Sequence, residues 1–338
     1  MTILFDSYEE VSTFHDPMQA GQLIERPTEI RLDPLTKFSS RVLFDPGINF
    51  VSPNYSEQAA MTSGAKCPFC DENIWERTPK YPKNLLDLGR LQQDETVLFP
   101  NIFPYTKHNA VVRMTKQHYV TLVEWTSESI ARSFTTAYDY LLKLALFDPS
   151  KPLYKTINWN YLPPSGGSIL HPHLHVMASE RPTNEQRIVT EAQQHYYATH
   201  QKTFFTQLLY EELRLNERYI GKHGEIDWLH AFAPKSHYDF IGLLPKQITE
   251  RFWDDLANSM LRFFNYFQES GLASFNLTVF LSQEDDKATS NFIRIVPRFS
   301  TGILETSDMN VLNFLQQEYL SLKRPENTVK QLQSYFST

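Results

Sequence analysis

The alternation of apolar and polar positions predicts an ordered mixture of strands and helices in the first half of the chain. Runs of β-branched and aromatic residues are typical of strands, and apolar residues spaced three or four positions apart are typical of helices. Thr126 or Ser127 can cap one such helix, which the Asp-Pro pair at 148–149 ends. In order, the predicted elements are a turn and strand over 30–44, antiparallel strands over 95–99 and 110–114, this helix, a strand over 153–159 and a strand containing three histidines.

The second half of the chain repeats this order in outline. A long polar and aromatic segment over 184–215 is predicted to be helical with breaks and to bridge the two halves. The elements predicted beyond it are strands over 227–244, a helix over 249–268, strands over 275–282 and 292–296, and C-terminal helices. A chain of 338 residues is also longer than one comfortable hydrophobic core. We therefore expect two similar halves, 1–200 and 201–338, either as separate domains or sharing one sheet.

Composition and charge narrow the classes of function. Apolar residues make up 41% and charged residues 21% of the chain, as in ordinary globular proteins. The net charge of −7, without a lysine- or arginine-rich run, argues against binding of duplex nucleic acid. No apolar stretch approaches membrane-spanning length, and the N-terminus lacks the basic and apolar regions of a secretory signal. We therefore expect a cytoplasmic protein that binds neither nucleic acid nor membranes.

The two cysteines of the chain lie in one motif, Cys67-Pro-Phe-Cys70. This short spacing suits metal binding or redox chemistry better than a stabilising disulfide. Together with His118 and His171 the cysteines make a Cys₂His₂ set, which suits tetrahedral zinc. A redox role would instead place the motif at a strand-to-helix junction, and the Asp-Glu-Asn at 71–73 is a poor helix start. We favour a closed, structural zinc site and keep the redox role as its alternative.

Three histidines alternate along the predicted strand as His171-Pro-His173-Leu-His175. Because successive side chains on a strand point to opposite faces, the three imidazoles are expected on one face. The preceding Gly166-Gly167-Ser168 lets backbone N–H groups approach a ligand closely, and phosphate is the obvious ligand. A structural role in a half-buried sheet would be the default for a single histidine, whereas three histidines in alternation favour function.

The chemistry expected of this strand is nucleophilic attack on phosphorus. A neutral imidazole is a competent nucleophile when its far nitrogen donates its proton to a carbonyl or carboxylate. We assign this role to His173, the central histidine. His175 and Ser168 can stabilise charge on the non-bridging oxygens or protonate the leaving group. The zinc site would clamp the cysteine loop onto the strand that carries His173.

Several segments of the chain resemble the galactose-1-phosphate uridylyltransferase (GalT) family of the histidine-triad superfamily. The resemblance runs through most of the chain and includes the spacing of Asn160 and Ser168 ahead of the His-Pro-His motif. The other matching segments are Asp33-Pro-Leu-Thr, Cys67-Pro-Phe-Cys70, Asn101-Ile-Phe103-Pro, the His118 that closes Met-Thr-Lys-Gln-His, 235–246 and the C-terminal segment from Arg324. The resemblance implies an α+β fold of two histidine-triad-like halves, in which antiparallel sheets are packed with helices.

The resemblance also implies roles for individual residues, with His173 taking up the nucleotide as a covalent intermediate. The zinc ligands would be Cys67, Cys70, His118 and His171. Asn160 and the catalytic Ser168 would hold the phosphoryl oxygens, and Asn101 and Phe103 would line the base or ribose pocket. With Gly166 and Gly167 of the glycine turn, Asn101, Phe103 and Asn160 make up the predicted substrate-binding set. The alternative for Phe103 is ordinary core packing. The substrate would be a nucleotide or sugar nucleotide and the acceptor a phosphate, and a homodimer is possible.

Two departures from the GalT pattern bear on the reaction. The family has glutamine at the position of His175, and a complete histidine triad is more typical of histidine-triad nucleotide hydrolases. Sugar-nucleotide phosphorylases, dinucleoside polyphosphate phosphorylases and hydrolases are therefore alternatives to the transferase. A second metal site of the family uses a His-x-His that reads Ile293-Arg294-Ile295 here, so we assign no second metal.

Two hypotheses from other classes stay open. The first is a metal-dependent oxygenase or isomerase on a jelly-roll barrel (a cupin-like protein). Its first motif is mimicked in part by Gly167, His173, His175 and Glu180. The helix predicted after Thr126 suits an all-β barrel poorly, however. The second hypothesis is a non-enzymatic zinc or nucleotide-binding module. Phosphate-loop, dinucleotide-binding and His-Glu-x-x-His motifs are missing from the sequence.

Overall fold

A computed structural model describes residues 3–48, 50–149, 153–302 and 304–337. The elements of the first half are β1 (Ser7–Asp16), β2 (Gln22–Leu32), β3 (Ser39–Val42), α1 (Ser56–Thr62), α2 (Ile74–Arg77), β4 (Leu91–Gln93), β5 (Thr96–Pro100), β6 (His108–Arg113), α3 (Ser127–Phe147), β7 (Tyr154–Tyr161), β8 (His173–Ser179) and α4 (Asn184–His200). Those of the second half are α5 (Phe204–Leu215), β9 (Tyr219–His223), β10 (Ile226–His230), β11 (Phe240–Leu243), α6 (Phe252–Glu269), β12 (Ser274–Leu281), β13 (Phe292–Arg298), β14 (Ser300–Thr301), β15 (Thr306–Ser307), α7 (Val311–Leu315), β16 (Tyr319–Ser321) and α8 (Pro325–Phe336). Among these described residues, no helix is both long and apolar enough to cross a membrane.

Ten of the described strands form one continuous sheet in the order β4-β5-β6-β8-β7-β12-β13-β11-β10-β9. Neighbouring strands in it are antiparallel. The two halves of the chain meet where β7 pairs with β12, and Asn160 lies opposite Asn276 there. Outward from this junction, both halves have the same order of strands. The predicted α+β class and the two similar halves are therefore confirmed, and the halves share one sheet.

One face of the sheet is covered by α3 and α6, one helix from each half. Thr126 caps α3, because its side chain accepts a hydrogen bond from the Ser129 N–H, as the sequence predicted. The Phe134 ring of α3 stacks on Trp253 of α6, with ring centroids 5.8 Å apart. Trp159 of the central strand β7 is fully buried in the same core. On the opposite face, α4 and α5 pack against the second half of the sheet, and the site lies on the first half.

A second sheet, ordered β1-β2-β3-β16, joins the two ends of the described chain. The hairpin of β1 and β2 was not predicted, because β1 is almost wholly exposed and lacks an apolar alternation. β3 pairs in parallel with β16, which links the first half to the second. Residue 200, the last of the predicted first half, is also the last of α4. The division of the chain at 200 and 201 stays a prediction.

A small apolar cluster lies on the face of the first half away from α3. Val97, Phe99 and Val111 point to this face, whereas their strand neighbours Leu98 and Val112 belong to the core under the helices. The other buried members of the cluster come from the cysteine loop at 67–74. The alternation of β5 and β6 thus holds the cysteine loop against the sheet.

The histidine strand begins later than the sequence predicted. β8 starts at His173, so His171 lies just outside it and the prediction of three histidines within one strand is wrong at its first position. Pro172 has no N–H to donate to the sheet, and the pairing with β6 therefore starts at His173, opposite Arg113.

Candidate functional site

The four side chains predicted as metal ligands come together just before β8. Cys67 Sγ lies 3.6 Å from His171 Nδ1. Cys70 Sγ lies 3.6 Å from the same nitrogen and 3.5 Å from His118 Nδ1. The four ligand atoms all lie within 4.8 Å of one another. Two thiols and two imidazoles that converge in this way can hold a metal ion.

Hydrogen bonds fix the tautomer of both imidazoles. His171 Nε2 lies 2.8 Å from the carbonyl oxygen of Thr115, which can only accept, so Nε2 carries the proton. His118 Nε2 lies 3.1 Å from the Thr62 hydroxyl, whose own proton goes to the Gln58 carbonyl. In both rings Nδ1 is therefore left with a lone pair directed toward the sulfur atoms. Outer partners of this kind orient metal ligands before the ion binds.

The two cysteines lack the features of a redox pair. Both are buried free thiols, and burial raises the pKa of Cys67 to about 11. Redox-active thiols have a lowered pKa instead. A bound cation would reverse the effect of burial, because coordinated thiols are deprotonated. The arrangement therefore favours metal binding over redox chemistry.

The Phe69 ring joins the cysteine loop to the histidines. Its centroid lies 6.2 Å from the centroid of His171 and 5.3 Å from that of His173, and both contacts are edge-on. The same ring packs against Phe99 of β5 at 5.3 Å. His171 therefore faces the same side of the sheet as His173, although it lies outside the strand. The Phe69 ring thus contacts both a residue of the ligand cluster and His173.

One ring nitrogen of His173 is hydrogen-bonded to the protein, and the other is available to a ligand. Its Nδ1 donates to the His171 carbonyl oxygen at 2.8 Å, which leaves Nε2 as the unprotonated nitrogen. Burial lowers the pKa of His173, so the ring is neutral at pH 7. His175 follows on the same face, with its ring centroid 5.1 Å from that of His173. Burial lowers the pKa of His175 to about 4, so this ring is neutral as well.

The Gly-Gly-Ser turn after β7 is held by hydrogen bonds of its own. The Leu162 carbonyl accepts from the N–H groups of Ser165 at 3.1 Å and Gly167 at 3.3 Å. Gly166 has a φ of +87°, and a Cβ on Gly167 would lie 3.1 Å from the Leu162 carbonyl oxygen. Within the described residues, the Ser168 N–H has no protein acceptor. The N–H and hydroxyl of Ser168 are therefore the donors of this turn that are available to a ligand.

The loop between β5 and β6 overhangs the same face. The Asn101 carboxamide braces it, since Oδ1 accepts from the Phe103 N–H and Nδ2 donates to Asn109 Oδ1, both at 3.0 Å. Asn109 Oδ1 also accepts from the Tyr105 N–H at 3.0 Å. Phe103 is 76% exposed, so ordinary core packing does not account for it. The Tyr105 ring lies 5.9 Å from that of His175, and the loop offers aromatic surface beside the histidines.

One cleft of about 320 Å³ brings all the predicted catalytic and substrate-binding residues together. Its lining includes Asn101, Phe103, Asn160, Gly166, Gly167, Ser168, His173 and His175. Phe69, Arg77 and Tyr105 are among the other lining residues, and no role in the site was predicted for them. Tyr105 follows the Asn-Ile-Phe-Pro segment directly, and that position is the signal that would have found it. Arg77 ends α2, a single helical turn without a sequence pattern, and it brings a positive charge to this wall.

Comparison with known proteins agrees with this architecture. No family model matches the sequence. An uncharacterized protein of Archaeoglobus fulgidus is 29% identical over 321 residues, which cover 94% of this chain and 95% of that protein. The structure of an ADP-glucose phosphorylase from Arabidopsis thaliana with bound ADP-glucose has a TM-score of 0.67 at 15% identity, covering 90% of this chain and 98% of that one. A GalT-like protein from the same plant has a TM-score of 0.66 at 16% identity, covering 91% and 99%.

The chain has the GalT-like fold. The jelly-roll hypothesis is therefore wrong, because a jelly roll packs two sheets against each other, whereas here α3 and α6 cover one continuous sheet. Within the GalT-like fold, the ligand cluster and the cleft lie side by side on the first half of the sheet. His171 belongs to the cluster and His173 to the cleft, two residues apart.

Proposed function

We propose that this protein is a nucleotidyltransferase, which moves a nucleoside monophosphate from a sugar nucleotide to a phosphate acceptor through a nucleotidyl-histidine on His173. One observation carries the proposal. The Nδ1 proton of a neutral His173 is held by the His171 carbonyl, and the ring lines a cleft. The GalT-like fold, which an ADP-glucose phosphorylase shares, supports the same function. We also propose a cytoplasmic location, where free thiols such as those of Cys67 and Cys70 stay reduced and can bind a metal.

In the first step His173 Nε2 attacks the α-phosphorus of the donor. A bond forms between Nε2 and phosphorus, the bond to the bridging oxygen breaks, and the sugar 1-phosphate leaves with that electron pair. The ring becomes cationic while Nδ1 still donates to the His171 carbonyl, which stabilises the charge. In the second step an oxygen of the acceptor phosphate attacks phosphorus, and the electron pair of the breaking N–P bond returns to Nε2.

The other cleft residues are assigned by their chemistry. Ser168 and Asn160 supply donors for the non-bridging phosphoryl oxygens, where charge develops in the transition state. We assign His175 to the same oxygens or to the leaving group, since its ring lies beside that of His173. Phe103 and Tyr105 offer ring faces on which a base can stack.

Zinc is the ion we propose for the ligand cluster. In a tetrahedron with Zn–S bonds of about 2.3 Å and Zn–N bonds of about 2.0–2.1 Å, sulfur and nitrogen lie about 3.6 Å apart. Three of the four corresponding distances here are 3.6, 3.6 and 3.5 Å. Because protein side chains fill all four positions, the ion would be structural and would take no part in the reaction. It would hold the cysteine loop, and with it Phe69, against His173.

Labelling with donors that carry ³²P at the α-phosphate tests the proposal. UDP-glucose, UDP-galactose and ADP-glucose are each incubated with the full chain, and we expect an adduct that is labile to acid and stable to alkali. His173→Gly should abolish the adduct and keep the metal content and melting temperature. His15→Gly, at an exposed position of β1, is the control and should label normally.

The acceptor is identified by chasing the labelled protein with galactose 1-phosphate, inorganic phosphate or buffer alone. Release as a nucleoside diphosphate sugar identifies a hexose phosphate acceptor, release as a nucleoside diphosphate identifies a phosphorylase, and release as a monophosphate identifies a hydrolase. A label that persists in His173→Gly would remove this residue as the nucleophile. No label with any donor would leave a non-enzymatic binding module as the better hypothesis.

A further inference from the structure

Four side chains form a chain of hydrogen bonds that runs from the second half of the sheet to the cleft. Asp308 accepts from Arg298 Nε at 2.7 Å and from Arg298 Nη2 at 2.6 Å. Arg298 Nη1 donates to Asn276 Oδ1 at 2.8 Å. Asn276 Nδ2 donates to Asn160 Oδ1, also at 2.8 Å. Asn160 lines the cleft, so a buried ion pair of the second half is connected to the site in the first half.

The direction of each hydrogen bond in this chain is fixed by chemistry. A guanidinium can only donate, so Asn276 must turn its oxygen toward Arg298 and its NH₂ toward Asn160. The same NH₂ donates to the Ser165 carbonyl at 2.9 Å, and a carbonyl can only accept. Asn160 must therefore face Asn276 with its oxygen. Its own NH₂ remains for the cleft, and within the described residues Asn160 Nδ2 has no protein partner.

We propose that Asn276 and Arg298 are positioning residues, which hold Asn160 with its N–H donors toward the phosphoryl oxygens of the bound nucleotide. The inference rests on the proposed nucleotidyl transfer. We call the hydrogen-bonded chain of Asp308, Arg298, Asn276 and Asn160 the relay. Without it the Asn160 carboxamide is free to turn over, and its oxygen would repel an anionic phosphoryl group. The far end of the relay is a buried ion pair, because the side chains of Arg298 and Asp308 are only 14% and 2% exposed.

The relay also holds the turn that carries Ser168. The Asn276 NH₂ donates both to Asn160 and to the Ser165 carbonyl, so one group of the second half orders both predicted phosphoryl contacts. Asn160 and Asn276 lie opposite each other where the two halves of the sheet meet. The second half contributes in this way to a cleft whose histidines all come from the first half.

Asn276→Asp tests the direction of the relay with little change in shape. The aspartate still accepts from Arg298 but presents an oxygen both to Asn160 and to the Ser165 carbonyl. The Asn160 carboxamide therefore turns over so that its oxygen faces the cleft, and the turn that carries Ser168 loses a hydrogen bond. The phosphoryl group then loses a donor. We expect the preference for UMP over uridine, or for AMP over adenosine, to fall about 10- to 100-fold in calorimetric titrations. The affinity for the nucleoside itself should not change.

Arg298→Lys tests the other end without adding a charge. Lysine cannot reproduce the planar fork that holds Asp308 and Asn276 together, and we expect kcat to fall about 10- to 100-fold. Arg294→Lys is the matched control. Arg294 lies on the same strand and makes an equivalent two-point pair with the buried Asp239. This control should lose stability and keep the wild-type kcat.

The outcomes distinguish this inference from the proposed function. If the wild-type protein forms the His173 adduct while Asn276→Asp and Arg298→Lys keep the wild-type phosphate preference and kcat, the relay is wrong and nucleotidyl transfer stands. If the wild type forms no adduct and binds UMP and AMP no better than uridine and adenosine, both proposals fail. An equal loss of kcat in Arg298→Lys and Arg294→Lys would mean that both effects come from a general loss of folding stability, and this would refute the relay.

Discussion

His118→Ala separates a metal centre from an ordinary buried cluster more cleanly than a cysteine variant. His118 is half-buried, and apart from its contact with sulfur its described hydrogen bond is to the Thr62 hydroxyl at 3.1 Å. If no metal is bound, the variant loses that bond and some packing, roughly 1 kcal/mol. If zinc is bound, the variant loses an ion that joins three separate segments of the chain. Metal loss belongs to the class of changes that cost more than about 4 kcal/mol.

These two free energies correspond to different melting temperatures. An unfolding entropy of about 2.1 cal/mol/K per residue gives about 0.7 kcal/mol/K for 338 residues. A loss of about 4 kcal/mol therefore lowers the Tm by about 6 °C, and a loss of about 1 kcal/mol lowers it by about 1.5 °C. His223→Ala removes another half-buried histidine, on β9, and should show the smaller effect.

The assay combines metal analysis by mass spectrometry with thermal unfolding, with and without a strong chelator. We expect stoichiometric zinc in the wild type and none in His118→Ala. The chelator should lower the wild-type Tm as far as the substitution does and leave the variant unchanged, because both remove the same ion. A variant that melts within about 2 °C of the wild type would refute the metal centre. So would a chelator effect that adds to the effect of the substitution.

Three further changes test separate parts of the molecule. Phe69→Ala removes the ring packed against His173, so kcat should fall while zinc is retained. The free energy of unfolding should fall by about 3–5 kcal/mol. An unchanged kcat would contradict positioning of His173 by this ring. Gly167→Ala places a Cβ 3.1 Å from the Leu162 carbonyl oxygen, so the turn must shift. We expect kcat/KM to fall about 100-fold. A wild-type kcat/KM would count against the turn as a phosphate contact. Burial lowers the pKa of His237 from 6.5 to about 4, so stability is lost as pH falls through this range. His237→Phe should remove about one proton from the pH dependence of the free energy of unfolding in urea, and an unaltered slope would reject this assignment.

The parts of the fold that the sequence predicts are those with a local or periodic signal. The capping residue Thr126 and the apolar spacing of α3 are local signals, which extend over one to a few turns of helix. The helix forms over the residues that these signals predict. The exposed hairpin of β1 and β2 has no apolar alternation, so its formation depends on pairing that no local pattern records. The start of β8 was misplaced because a strict alternation of histidines hid the effect of Pro172 on strand pairing.

The candidate site could be predicted residue by residue where a motif names the chemistry. The Cys-x-x-Cys pair, the alternating histidines and the glycine turn each have a physical signature, and the structure brings them together. Asn276 and Arg298 have no signature in the sequence, because asparagine and arginine are ordinary residues on strands. Their role becomes visible only when the fold places them near Asn160. That contact spans 116 positions along the chain, so only the paired halves of the sheet reveal it.

Locating the nucleotidyl group tests the covalent role of His173 most directly. The wild-type protein is mixed with UDP-glucose or ADP-glucose, quenched and digested under alkaline conditions, and its histidine peptides are sequenced by mass spectrometry. We predict a nucleoside monophosphate on His173 and on no other histidine. The same group on His175, or turnover of the donor without a modified histidine at any time, would contradict this mechanism.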